Sequence, residues 1–237
     1  MESRKKVRIL YFVIAVLVLI LAGISAMCFY VSTSKTLNAS SIITQPYYQI
    51  KHSIFEVMNR DKDSIVFLGD SLTDYVKFDE ILRNPSIKNR GIAGDTTLGV
   101  LNRLDEVISM KPAKLFILIG TNDIVYGRKA DEIIQSIRQI ISRVQSESKD
   151  TKIYIQSLFP VNNIKFRTNR PIETIQAVNA EIRKLADELH CTFINLYPLL
   201  LNESENALDV RYTIDGLHLN GKGVLKWVEY LKPYVNE

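Results

Sequence analysis

From Ser64 onward the chain alternates five times between a short strand-like stretch and a stretch of helical periodicity. The strand-like stretches are Ser64–Leu68, Ile87–Arg90, Lys114–Ile119, Lys152–Leu158 and Thr192–Leu196. The first and third are apolar runs stopped by turn residues, the pattern of strands buried on both faces in a parallel sheet. Between them, apolar residues recur at helical spacing. Leu98, Leu101, Leu104, Val107 and Ile108 form one stripe, and Ile133, Ile134, Ile137, Ile140, Ile141 and Val144 form another. Further helices are expected around Asp74–Leu82, from Pro171 to about Leu189, and from Asn220 or Gly221 to the C-terminus. The alternation predicts an α/β fold: a five-stranded parallel sheet, helices on both faces and right-handed crossovers. Ligands of such sheets bind at the carboxyl ends of the strands, so the loops there are where chemistry is expected.

The N-terminal part is of another kind. Residues 1–8 are a basic segment holding Arg4, Lys5, Lys6 and Arg8, and residues 9–31 carry no charge. An uncharged stretch of that length exceeds the roughly 20 residues needed to cross a bilayer. The basic cluster should stay in the cytoplasm and the rest of the chain should lie outside. A cleaved signal peptide is the competing reading, but its apolar core usually spans only about 7–15 residues, and no small-x-small cleavage site stands out. The expectation is one uncleaved N-terminal transmembrane helix. A polar tether over residues 32–46 follows, and then a folded domain over 47–237 that opens with a helix near Tyr47–Asn59.

Three of the four net positive charges lie in the first eight residues, so the body is close to neutral. That balance does not suggest the basic face a nucleic-acid partner requires. Of the two cysteines, Cys28 lies in the apolar segment and Cys191 in the body, which excludes a disulfide within the body.

Four stretches sit in loops after strands or just before the last helix. They are Gly69-Asp70-Ser71-Leu72, Gly94-Asp95, Gly120-Thr121-Asn122-Asp123 and Asp215-Gly216-Leu217-His218. Together they supply a hydroxyl, a base, a carboxylate to orient the base, and donors for an oxyanion, which is what acyl transfer needs. Among three histidines, His52 reads as a surface residue and His190 as a helix C-terminal residue. His218 stands three residues after Asp215, where a carboxylate can curl back to one ring nitrogen and leave the other facing out. The same pair also fits a helix cap or half of a metal site. For the oxyanion, the candidates are the Ser71 N–H, the Gly94 N–H and the Asn122 side-chain amide. Gly94 is favoured over Gly91 because it lies farther past the strand. The polar loop with Lys165, Arg167 and Arg170 reads as a solvated loop, with the mouth of a pocket as the other reading.

In order and in content, the four blocks resemble those of the SGNH hydrolases, the GDSL esterase/lipase family, over roughly Asp63 to Tyr234. The resemblance implies a flavodoxin-like three-layer α/β/α sandwich with no metal or organic cofactor. It implies Ser71 as nucleophile, His218 as base, Asp215 as its orienter, and an oxyanion hole of Ser71, Gly94 and Asn122. Leu72-Thr73 after Ser71 departs from the Gly-x-Ser-x-Gly elbow of the α/β-hydrolases. The expected reaction is hydrolysis of short acyl esters on carbohydrate or lipid. Acyl transfer to an envelope glycan, lysophospholipase and thioesterase activities are the alternatives within the same resemblance.

Overall fold

β1 (Ile65–Gly69) is buried at every position and is an inner strand of the sheet, one in from the edge. The computed structural model describes residues 14, 16–23, 25, 39–58 and 60–237. β2 (Ile87–Gly91), β3 (Lys114–Leu118), β4 (Lys152–Gln156) and β5 (Thr192–Ile194) join β1 in the order β2-β1-β3-β4-β5, every pair parallel. This is the doubly wound order with its switch point between the first and third strands. Phe67, Phe116 and Tyr154 are register neighbours on one face, and their rings stack at 4.7 and 4.5 Å. Phe78 stacks on Phe67 at 4.1 Å, and Trp227 meets Phe78 edge-on, so the helices Phe78–Leu82 and Gly221–Asn236 cover this face. Helices Leu104–Met110, Ala130–Glu147 and Ile172–Glu188 pack together on the other face. Lys114 ties the sheet to the last helix by donating to the Tyr234 and Val235 carbonyls.

Two expected helices are each broken in two, for local reasons. The Asp70 carboxylate accepts the Leu72 N–H, which starts a helix at Ser71, before Asp74; it ends at Asp74, and a second runs Phe78–Leu82. The Leu98–Ile108 stripe divides into Thr97–Asn102 and Leu104–Met110 at Arg103, whose side chain turns into the core. A small antiparallel hairpin, Leu201–Asn202 with Ala207–Leu208, stands where only irregular chain was expected.

The folded body is the unit Ala39–Glu237, so it begins earlier than the tether reading placed it. Ala39 and Ile42 are buried, and Ile42 clusters with Tyr48, Phe55 and Ile92. Residues 39–46 thus belong to the body because their apolar side chains have a place to go. The rest of the expected tether, residues 32–38, and the basic segment 1–8 lie outside the described residues. Of the expected membrane span over 9–31, only residues 14, 16–23 and 25 are described, and they are helical. Among the described residues no helix is long and apolar enough to cross a membrane.

Candidate active site

Ser71 sits where β1 ends because Gly69 lets the strand run tight against its neighbour. A Cβ on Gly69 would lie 2.4 Å from the Leu118 carbonyl oxygen and 2.3 Å from Thr73 Oγ1. Asp70 then caps the turn, and Ser71 opens the short helix with its side chain nearly buried.

The loop before the last helix brings the other two residues to it. Ser71 Oγ lies 2.9 Å from His218 Nε2, and His218 Nδ1 lies 2.6 Å from Asp215 Oδ2. A carboxylate can only accept, so Nδ1 carries the proton and Nε2 is left to accept from the serine hydroxyl. The loop holds itself in this shape. Asp215 Oδ1 accepts the Leu217 and His218 N–H groups, and Thr213 donates to the His218 carbonyl. Burial raises the Asp215 carboxyl, but the His218 ring and those two N–H groups outweigh it, and the net shift is downward. Asp215 therefore stays ionised beside the imidazole. Tyr75 lies against the His218 ring, at 5.3 Å between centroids.

Each of the three donor candidates keeps an N–H that meets no protein acceptor among the described residues. Gly94 has φ +83°, in the left-handed region that favours glycine. Among the described residues neither the Ser71 N–H nor the Gly94 N–H meets a protein acceptor, whereas the Gly91 N–H is spent on Asn89 Oδ1. Asn122 donates one side-chain N–H to the Asp95 carbonyl at 2.9 Å and accepts from Arg170 at 2.9 Å on its oxygen.

Buried charges, unforeseen from the sequence, lie behind these loops. Asp123 accepts from the Thr97 backbone and hydroxyl and pairs with Arg128, tying the Asn122 turn to the helix after Gly94. Asp95 pairs with Arg103. Asp70 is fully buried, and burial pushes its carboxyl up to about 7 against the pull of the Leu72 N–H. Lys165 and Arg167 are exposed, as a solvated loop requires, but Arg170 is buried against Asn122. That loop is built, not loose: the Asn162 N–H donates to the Gly216 carbonyl, and Phe166 packs on Gly216. The one sequence mark of Arg170 was its place before Pro171, which says nothing of burial.

His190 follows the Ile172–Glu188 helix with φ +54°, and His52 stands half-buried beside Tyr48; among the described residues neither hydrogen-bonds to Ser71, whose histidine partner is His218. Among the described residues no three His, Cys, Asp or Glu side chains converge as a metal site would require.

Residues 67–224 match the model of the GDSL-like Lipase/Acylhydrolase family. An N-acylneuraminate cytidylyltransferase from Escherichia coli O18:K1:H7 is 30% identical over 182 residues, 74% of this chain and 42% of that protein. The chain thus spans less than half of that relative's length. A solved Streptococcus pneumonia structure, provisionally assigned as a platelet activating factor, is 28% identical with TM-score 0.70, covering 89% of this chain and 99% of its own. The acetylxylan esterase Axe2 from Geobacillus stearothermophilus is 18% identical with TM-score 0.61 over 76% of this chain and 97% of its own, a likeness of fold.

Proposed function

This chain belongs to the GDSL-like lipase/acylhydrolase family; on that premise we propose that it is a hydrolase of carboxylic esters and cleaves short acyl esters, acetyl above all, through a Ser71–His218–Asp215 acyl-enzyme. The observation that carries this reading is the unbroken relay from Ser71 Oγ to His218 Nε2 and from His218 Nδ1 to Asp215 Oδ2, at 2.9 and 2.6 Å.

As the Ser71 oxygen bonds to the ester carbon, its proton passes to His218 Nε2, and Asp215 stabilises the imidazolium. The carbonyl oxygen becomes an oxyanion facing the Ser71 N–H, the Gly94 N–H and the free Asn122 N–H. The C–O bond to the alcohol breaks, and His218 returns its proton to the leaving oxygen. Water then attacks the acyl-serine with His218 again as base, releasing the acid and restoring Ser71. The Asp215 and His218 side chains are 47% and 27% exposed, which lets water reach the acyl-enzyme and favours hydrolysis over transfer. Neighbours of the same fold that act on acetylated xylan support a small acyl group and a carbohydrate ester.

We place the body outside the cell, held by residues 9–31 as a signal anchor. The charge asymmetry around that stretch supports this orientation. Protease added to intact cells should then degrade the body.

The deciding experiment pairs a fluorophosphonate probe with p-nitrophenyl esters of increasing chain length. Labelling should require Ser71, turnover should be greatest on the acetyl ester, and Ser71→Ala should lose both while keeping its fold. Full turnover in Ser71→Ala would overturn the mechanism, and a preference for long chains would overturn the substrate class.

A further inference from the structure

Three buried arginines of the body each face a carboxylate: Arg90 with Glu106 at 2.7 Å, Arg103 with Asp95 at 2.9 Å and Arg128 with Asp123 at 2.6 Å. Arg170, only 8% exposed, does not. Its Nε donates to the Thr121 carbonyl and hydroxyl at 3.1 Å each, its Nη1 to the Thr168 carbonyl at 2.6 Å, and its Nη2 to Asn122 Oδ1 at 2.9 Å. All four acceptors are neutral; among the described residues no carboxylate touches it as an ion pair, and Asp70 and Asp215 act on it only through space. Burying a cation without a partner anion is costly, and such a charge persists where something else compensates it.

We propose that Arg170 is a positioning residue of the oxyanion hole, locking the Asn122 amide in its donating orientation. This rests on the serine-esterase reading above.

The orientation follows from donor chemistry. A guanidinium has donors only, so the Asn122 atom facing it must be the oxygen. The nitrogen must then face the Asp95 carbonyl, which only accepts. With both ends fixed, one N–H of the amide is used by Asp95, and the other has no protein acceptor and is left for the substrate. A charged donor on the amide oxygen also draws electron density from the nitrogen, which strengthens that remaining N–H. Lysine cannot replace this arrangement, because four acceptors are reached here by a rigid planar fork. Asn163 holds the segment in register by donating to the Arg170 carbonyl.

The test uses the full chain and steady-state hydrolysis of p-nitrophenyl acetate by Arg170→Met, Arg170→Lys, Asn122→Ala and the double variant Asn122→Ala/Arg170→Met. Asn122→Ala should lower kcat by about 10²–10³. Arg170→Met should lower kcat by about 10–100-fold with KM changed less than about threefold. In the Asn122→Ala background, Arg170→Met should cost less than about threefold more, because the amide it positions is gone. A general structural role would instead multiply through both backgrounds. Arg170→Lys keeps the charge and serves if Arg170→Met fails to fold; it should lose about 3–30-fold in kcat. Unchanged kcat in either single Arg170 variant, or independent multiplication with Asn122→Ala, would overturn the proposal while leaving the esterase reading in place. If Asn122→Ala itself keeps full kcat, the oxyanion role of Asn122 falls, and that of Arg170 with it.

Discussion

Arg103 and Asp95 meet 2.9 Å apart with neither side chain exposed, directly behind the turn that carries Gly94. The same guanidinium donates to the Gly69 and Arg90 carbonyls at the ends of β1 and β2. One side chain thus joins the strand that delivers Ser71 to the loop that delivers the Gly94 N–H. The helix break at Arg103 is the local cost of that connection.

Arg103→Met should remove the partner of a fully buried carboxylate and destabilise the body by about 3–5 kcal/mol. Urea denaturation measures this. A loss below about 1 kcal/mol would show that the pair is not what joins these strand ends.

Asp215→Asn should keep the loop, since an amide oxygen can still accept the Leu217 and His218 N–H groups that Asp215 Oδ1 now accepts. It should nonetheless favour the wrong imidazole tautomer and lower kcat by about 10³–10⁴. Thermal midpoints of the two proteins should nearly coincide. Wild-type turnover in this variant would remove Asp215 from the relay.

Gly91→Ala should disturb the nucleophile's own helix. The added Cβ would lie 2.3 Å from the Asp74 backbone nitrogen and 2.6 Å from its Cα, and backbone cannot swing aside as a side chain can. A destabilisation of about 1–3 kcal/mol is expected. An unaltered melting curve would contradict the close approach of β2 to the Ser71–Asp74 helix.

Asp70 should make stability depend on pH. Burial, as the largest cause, raises its carboxyl to about 7, and its Oδ2 has no hydrogen-bond partner. The folded state therefore binds this proton more tightly than the unfolded chain does. The resulting stabilisation is complete below about pH 4 and is lost as pH rises through about 7. The thermal midpoint should fall between about pH 5 and pH 8, and Asp70→Asn should flatten that fall. Asp95, also raised by burial though opposed by Arg103, acts in the same direction, so part of the slope should remain. Identical slopes in the two proteins would mean that Asp70 does not titrate in this window.

The parts of this protein legible in its amino-acid order are those that depend on near neighbours along the chain. Apolar runs such as Val66–Leu68 and the isoleucine stripe of Ala130–Glu147 announce sheet and helix, because burial on two faces or one stripe needs that periodicity. Asp215 and His218 are three residues apart, so their pairing is a local event. Ser71 and His218 are 147 positions apart, yet their meeting was expected, because the four blocks that hold them resemble those of the SGNH hydrolases, which implies that the two act together. What the order of residues left open was settled in three dimensions. Arg170 and Arg103 look like any surface arginine in the sequence; each is buried because a distant carbonyl or carboxylate waits for it. The start of the body at Ala39 was equally hidden, since the cluster that receives Ile42 includes Ile92, half a hundred residues away. Local periodicity encodes which elements form, but a buried polar contact exists only when remote segments arrive with matching donors and acceptors.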